Sequence, residues 1–161
     1  MIVRPATAAD HPGWSAMRRR LWPDCEPAEL EREPPLIGLV AEADGRLVGF
    51  AEASVRDYAE GAPAGPAAYL EGIWVEPAWR RRGVARALIA YTEAEARRRG
   101  RDRLRIQVRI PLIDNQLLFK SCGFVEVSRE THPGYTAPTT IRMEKRLQYH
   151  AVLLDPARDF W

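Results

Sequence analysis

A chain of 161 residues with 46% hydrophobic and 29% charged side chains has the composition of one globular domain, long enough to bury its own core. Its formal charge of +2 is too small for nucleic-acid binding by bulk electrostatics, so no nucleic-acid partner is expected. No apolar run has the form of a signal peptide or the length of a membrane span, so a cytoplasmic protein without a membrane partner is expected. Cys25 and Cys122 lack zinc or redox spacing and read as reduced thiols, and His11, His132 and His150 are too far apart to suggest a metal.

Ile2 to Pro5 opens as a strand. Thr7 to Asp10 resembles a capping box with aspartate in the acidic place, ahead of a helix with Trp14, Met17 and Leu21 on one stripe and Arg18 to Arg20 beside it. That helix ends before Pro23, and Pro27 to Glu33 reads as a short acidic segment, helical or irregular. Leu36 to Ala43 and Arg46 to Arg56 are strands around Asp44-Gly45, a two-residue hairpin signal. Asp57 to Pro66, rich in glycine and proline, reads as a loop of the kind that carries substrate contacts.

Tyr69 to Val75 is a strand holding one carboxylate, Glu71, and it stops at Pro77, which cannot donate to a sheet ladder. An arginine-rich turn with one glycine leads into a helix from about Arg82 to Arg99, with a buried stripe expected at Val84, Ala87, Leu88, Tyr91 and Ala94 and Gly100 at the C-terminal cap. Leu104 to Ile110, a short helix Asp114 to Ser121 closed by Gly123, and strands Phe124 to Arg129 and Thr139 to Arg146 complete a domain of residues 1–147. The tail 148–161 carries Val152, Leu153, Leu154, Phe160 and Trp161 and is expected to pack on the domain or on a partner subunit. The element order points to an α/β (α+β) fold, a mixed and mostly antiparallel sheet with helices on both faces.

Strand, glycine turn and helix in that order leave the backbone N–H groups of Arg81, Arg82, Gly83, Val84 and Ala85 at a helix start, where no intrahelical carbonyl reaches them. The helix dipole points at the same place, and Arg80, Arg81 and Arg82 make a phosphate the natural ligand. Acids concentrate before residue 72 and arginines after it, a split that suits a cationic molecule on one side and an anionic one on the other.

Val75-Glu-Pro-Ala-Trp-Arg80-Arg-Arg-Gly83-Val-Ala85 resembles the acetyl-coenzyme A motif of the GNAT N-acetyltransferases: Gln or Arg, two residues, Gly, one residue, then Gly or Ala. Phe119 and Gly123-Phe124 resemble the ending of that family, and the element order agrees over residues 2 to 147. A narrower similarity, to the aminoglycoside 6′-N-acetyltransferases, lies in Trp14, Met17 to Pro23, Gly49 to Ser54 and Leu70 to Val75. The second half departs from that branch, with Ile106-Gln-Val-Arg109 where the branch carries a Ser-Asp-Thr run.

The resemblance implies acetyl-CoA as co-substrate. Its pyrophosphate would lie on the N–H groups of Arg81 to Ala85, and its pantetheine arm along the edge at Ile73, Trp74 and Val75, with Asn115 and Phe119 beside it. Glu71 is the expected general base, and strict alternation places it on the sheet face of Ile73 and Val75. The N–H of Trp74 or Ile73 is the expected oxyanion donor. Phe119 stands where the family often has a proton-donating tyrosine; Tyr135, Cys122 or water are alternatives. A polycationic acceptor would use carboxylates such as Glu52, Asp57 and Glu71, with Trp22 and Tyr58 to stack on a sugar. The expected acceptor is the 6′-amine of an aminoglycoside, with a protein, peptide or polyamine amine as the alternative; a non-catalytic acyl-CoA-binding sensor is the alternative to an enzyme. A homodimer is a family expectation.

Overall fold

The computed structural model describes residues 1–25, 37–56 and 67–147. The expected acidic segment after Pro27, the loop 57–66 with Asp57 and Tyr58, and the tail 148–161 lie outside these residues. In chain order the elements are β1 (Ile2–Pro5), α1 (His11–Leu21), β2 (Ile37–Ala43), β3 (Arg46–Arg56), β4 (Ala67–Val75), α2 (Val84–Arg98), β5 (Arg103–Arg109), α3 (Ile113–Ser121), β6 (Val125–Glu130) and β7 (Thr140–Arg146). One-turn 3-10 helices at Ala8–Asp10 and Pro77–Trp79 precede α1 and the turn into α2.

The strands form one seven-stranded sheet in the order β1-β2-β3-β4-β5-β7-β6. Only β4 and β5 run parallel; every other neighbouring pair is antiparallel. The expected hairpin joins β2 to β3, with Asp44 and Gly45 both in the left-handed region at φ 52° and 74°. Each sheet face buries its own cluster. On one face Trp14 and Met17 of α1 meet Val40 and Phe50. On the other, Val84, Leu88, Ile89 and Ala96 of α2 and Phe119 of α3 meet Leu39, Ala51, Leu70, Val75, Ile106 and Met143.

The buried stripe of α2 is turned from its expected position. Val84 and Leu88 are buried as expected, but the stripe continues through Ile89, Thr92 and Ala96, while Ala94 is exposed and Ala87 and Tyr91 are half-buried. The helix also buries Glu93 and Glu95, which a hydrophobic pattern does not reveal; Lys145 of β7 reaches Glu93 at 2.9 Å and Arg98 reaches Glu95 at 2.9 Å. These pairs neutralise carboxylates that would otherwise sit uncompensated against the sheet. Gly100, at φ 74°, ends the helix: its N–H donates to the Arg97 carbonyl and the N–H of Arg101 to that of Ala96.

The entry to α1 is tied to the sheet by Asp10. Its carboxylate accepts from the Thr7 N–H at 2.7 Å and from two nitrogens of Arg4 in β1 at 2.7 and 2.9 Å. The Arg4 guanidinium holds the Asp10 carboxyl well below the usual carboxylate range. A depressed acid stabilises the fold above its unfolded pKa and loses that contribution as pH falls towards the folded one. Asp10→Asn should therefore cost about 1–3 kcal/mol at neutral pH. Parallel denaturant titrations of the two proteins should show this gap closing as pH falls below about 4.

Candidate active site

The site is built where two parallel strands separate. β4 pairs with β5 only at Ala67↔Arg103, Ala68↔Leu104 and Tyr69↔Arg105. β4 continues to Val75 and β5 to Arg109, so beyond Tyr69 the edge of β4 that faces β5 has no strand partner among the described residues. This is the open edge expected at Ile73, Trp74 and Val75. On its other side β4 stays paired with β3 throughout, and there the register slips by one residue: Glu52 faces Gly72 but Ala53 faces Leu70. Glu71 is the extra residue, a β-bulge, which bends and twists the strand that carries it.

The bulge overturns the expected orientation of Glu71. Ile73 and Val75 belong to the cluster beneath α2, whereas the Glu71 carboxylate accepts a 2.5 Å hydrogen bond from the Ser54 hydroxyl. Ser54 alternates along β3 with Phe50 and Glu52, which face α1, so Glu71 faces α1 as well. Alternation fails because a bulge places two successive residues opposite one. Glu71 is exposed and Gly72 beside it is buried. A Cβ on Gly72 would lie 2.6 Å from Cη2 of Trp22, so the indole rests directly on the strand at the residue after Glu71. Trp22 therefore lies on the strand next to Glu71, held edge-on to Phe50 at 6.4 Å.

Glu52 is placed differently from a rim carboxylate. It is 2% exposed and pairs with Arg18 of α1 at 3.0 Å. Burial pushes it up to about 7 from its ordinary 4.5, the Arg18 charge and hydrogen bond oppose the rise, and the Glu71 charge adds to it. The site thus joins an exposed carboxylate, Glu71, to a buried one that changes protonation near neutrality.

The expected anion site lies at the other end of the same segment. Arg81 at φ 60° and Gly83 at φ 82° both adopt the left-handed conformation, which gathers successive N–H groups into a concave nest. Among the described residues no carbonyl outside the helix accepts from the N–H groups of Arg81, Arg82, Gly83, Val84 or Ala85. Nothing lies within 4 Å of where a Gly83 Cβ would be, so a phosphate has room to approach the backbone. The three arginines differ in task. Arg80 donates to the Val75 carbonyl at 2.9 Å and covers the Trp74 ring at 4.7 Å, which pins the turn to the end of β4. Arg82 lies 5.2 Å from the Trp79 ring centre, and Arg81 and Arg82 are both exposed. Trp74 itself pairs with Phe50 and packs on the α1 side, with Arg20 5.6 Å from its ring.

On α3, Asn115 is exposed and Phe119 is buried edge-on against Phe124 at 5.4 Å. Cys122 is half-buried 3.7 Å from Arg86, and Tyr135 is exposed. Among the described residues no group of three or more His, Cys, Asp or Glu could hold a metal ion, and no helix is long and apolar enough to cross a membrane. Arg18 and Gln116 were not singled out by the sequence. Gln116, buried on α3, donates to the Ile110 carbonyl at 2.6 Å and fixes α3 to the end of β5; a lone Gln in a short helix carries no signal of that.

The raised pKa of Glu52 has a consequence for stability. Between about 4.5 and 7 the folded protein holds a proton that the unfolded chain has lost, so this group's contribution to stability falls as pH rises through that window. Glu52→Gln removes the titration. Thermal melts across the window should show the stability of the variant relative to wild type rising with pH, then levelling off; a constant difference contradicts the assignment.

Residues 8–124 match the Acetyltransferase (GNAT) family. The aminoglycoside N(6′)-acetyltransferase type 1 of Stenotrophomonas maltophilia is 37% identical over 134 residues, which span 79% of this chain and 88% of that protein. Among solved structures, the apo aminoglycoside 6′-N-acetyltransferase AAC(6′)-IG of Acinetobacter haemolyticus superposes with a TM-score of 0.73 at 29% identity, over 85% of this chain and 99% of its own. AAC(6′)-Iy in complex with the bisubstrate analogue CoA-S-monomethyl-acetylneamine gives a TM-score of 0.73 at 28% identity, over 84% and 98%. The free β4 edge, the N–H nest after Pro77 and these similarities agree, and the chain belongs to the GNAT family of acetyltransferases.

Proposed function

We propose that this protein transfers the acetyl group of acetyl-CoA to the 6′-amine of an aminoglycoside by direct attack in a ternary complex. The observation that carries the reading is that one continuous segment, Glu71 to Ala85, holds a carboxylate, a free strand edge and a nest of N–H groups in that order. The chemistry supplied by the co-substrate is an electrophilic thioester carbon and a thiolate leaving group. The N–H groups of Arg81 to Ala85 bind its pyrophosphate, and the unpaired edge at Ile73 to Val75 hydrogen-bonds the pantetheine amides as an added strand would.

Glu71 takes the proton that an ammonium must lose before its nitrogen can attack, directly or through a water. Its exposure leaves it open to an incoming amine, and the Ser54 hydroxyl orients the carboxylate. The Ile73 N–H donates to the carbonyl oxygen as it gains charge; the Trp74 N–H, also expected for this, is turned into the β3 ladder, where Phe50 faces Trp74 two residues before the Glu76 N–H bonds the Val48 carbonyl. Phe119 has no proton to give and is packed against Phe124, so it serves as an apolar wall and the thiolate departs without help from that position. Asn115, on the exposed first turn of α3, is available to the arm. The acceptor class is supported by the relatives, which are named for aminoglycosides, and by the carboxylate-and-indole wall formed by Glu71 and Trp22.

A thiol-release assay with acetyl-CoA tests this across kanamycin-type aminoglycosides, polyamines and peptide N-termini. Turnover should be fastest on the aminoglycosides, and Glu71→Gln should lower kcat at neutral pH at least about tenfold. Turnover confined to peptides would overturn the acceptor assignment, and an unchanged kcat would remove Glu71 as the base. Binding of acetyl-CoA with no turnover on any amine would favour an acyl-CoA-binding sensor.

A further inference from the structure

Arg18 sits at the centre of a cluster that the acetyl-transfer chemistry leaves unexplained. It is 9% exposed, although arginine is almost never buried unless paired. Its Nε donates to Glu52 at 3.0 Å, and its guanidinium carbon lies 5.5 Å from the ring centre of Trp14 and 5.7 Å from that of Trp22. The cation is thus held between two indoles, one at each end of α1, and anchored to the sheet by one carboxylate. Glu52 pairs across the sheet with Gly72, and Gly72 is the residue on which the Trp22 indole rests. Trp22 is the C-cap of α1, with a non-helical backbone at φ −123° and ψ 69°, and its ring also meets Phe50 edge-on at 6.4 Å.

We propose that Arg18 is a positioning residue for the acceptor side of the cleft: locked between Trp14 and Trp22 and tied to Glu52, it holds the Trp22 indole over Gly72 and so sets the aromatic wall beside Glu71. The inference rests on the reading that the acceptor amine is delivered to Glu71. The planar guanidinium matters as well as the charge, because stacking on two rings and an in-plane bond to a carboxylate use its flat face and its edge together. An ammonium in the same place keeps the charge and loses that geometry. Among the described residues, Arg18 from α1 pairs with Glu52 and Glu71 from β4 repels it, so removing Arg18 takes away the cation that offsets that repulsion.

The test is Arg18→Lys, with acceptor and acetyl-CoA kinetics measured separately and a double-mutant cycle against Trp22→Phe. KM for kanamycin should rise roughly fivefold, the size of one cation–π contact, while KM for acetyl-CoA stays within about twofold. In the Trp22→Phe background, Arg18→Lys should add little, because the residue acts through that ring. An unchanged acceptor KM, equal rises in both KM values, or effects of the two substitutions that multiply would overturn the proposal. Should Arg18→Lys fail to fold, Glu52→Gln carries the same comparison: it keeps the shape and removes the anchoring charge, so a rise in acceptor KM alone supports the proposal and no rise overturns it. Should the wild type turn over no amine at all, the acceptor reading fails by itself. Acrylamide quenching, with Trp22→Phe as the baseline, then decides the positioning role: greater quenching of Trp22 in Arg18→Lys supports it, and equal quenching overturns it.

Discussion

One extra residue in β4 governs the arrangement of the site. Glu71 has no counterpart on β3, and a bulge bends and twists its strand; the parallel ladder with β5 ends after three pairs, at Tyr69, two residues before it. Two features meet there. The β4 edge beyond Tyr69 is left with backbone groups that a ligand's amides can satisfy, and a carboxylate is turned out of the α2 core onto the α1 side. Regular alternation would have placed Glu71 on the face of Ile73 and Val75. The open edge and the outward carboxylate thus lie at one irregularity of the strand.

What surrounds the bulge keeps the opening from collapsing. Arg80 folds back from the turn to the Val75 carbonyl and covers Trp74, so the end of β4 is capped by the residue that starts the anion site. The left-handed Arg81 and Gly83 then turn the chain into α2 with its first N–H groups outward. On the α1 side, the Arg18–Glu52 pair performs the equivalent task across the sheet. A buried ion pair contributes little net stability, since desolvation offsets most of the attraction. Its effect here is on geometry: it fixes one helix end against one strand. The cleft is thus framed by arginines acting on neighbouring aromatic rings and backbone rather than on ligand alone.

The order of elements, the hairpin at Asp44-Gly45, the cap at Gly100 and the strand–turn–helix cradle were legible in the sequence because each depends on a local signal: a period, a turn pair, a proline or a glycine. The face of Glu71 was not, because alternation assumes regular pairing, and a bulge is defined only by the register against another strand. The pairing of Arg18 with Glu52 was out of reach for a similar reason, the two being 34 positions apart and joined only when α1 packs on β3. The α2 stripe was read one-sidedly: Glu93 and Glu95 look like solvent residues until Lys145 and Arg98 supply their partners. Phe119, expected beside the pantetheine arm, is buried edge-on against Phe124, a contact that the Gly-Phe pair closing α3 brings close in sequence. Residues whose role depends on contacts distant in sequence were the ones that the sequence concealed.

The central claim is that the open edge of β4 and the nest at the start of α2 together receive acetyl-CoA. Backbone amide hydrogen exchange, measured with and without saturating acetyl-CoA, tests it directly. The account predicts slowed exchange at Ile73 and Val75 and at Arg81 to Ala85, with the paired amides of β6 and β7 unchanged. Protection at neither segment, or at the nest without the β4 edge, would contradict it.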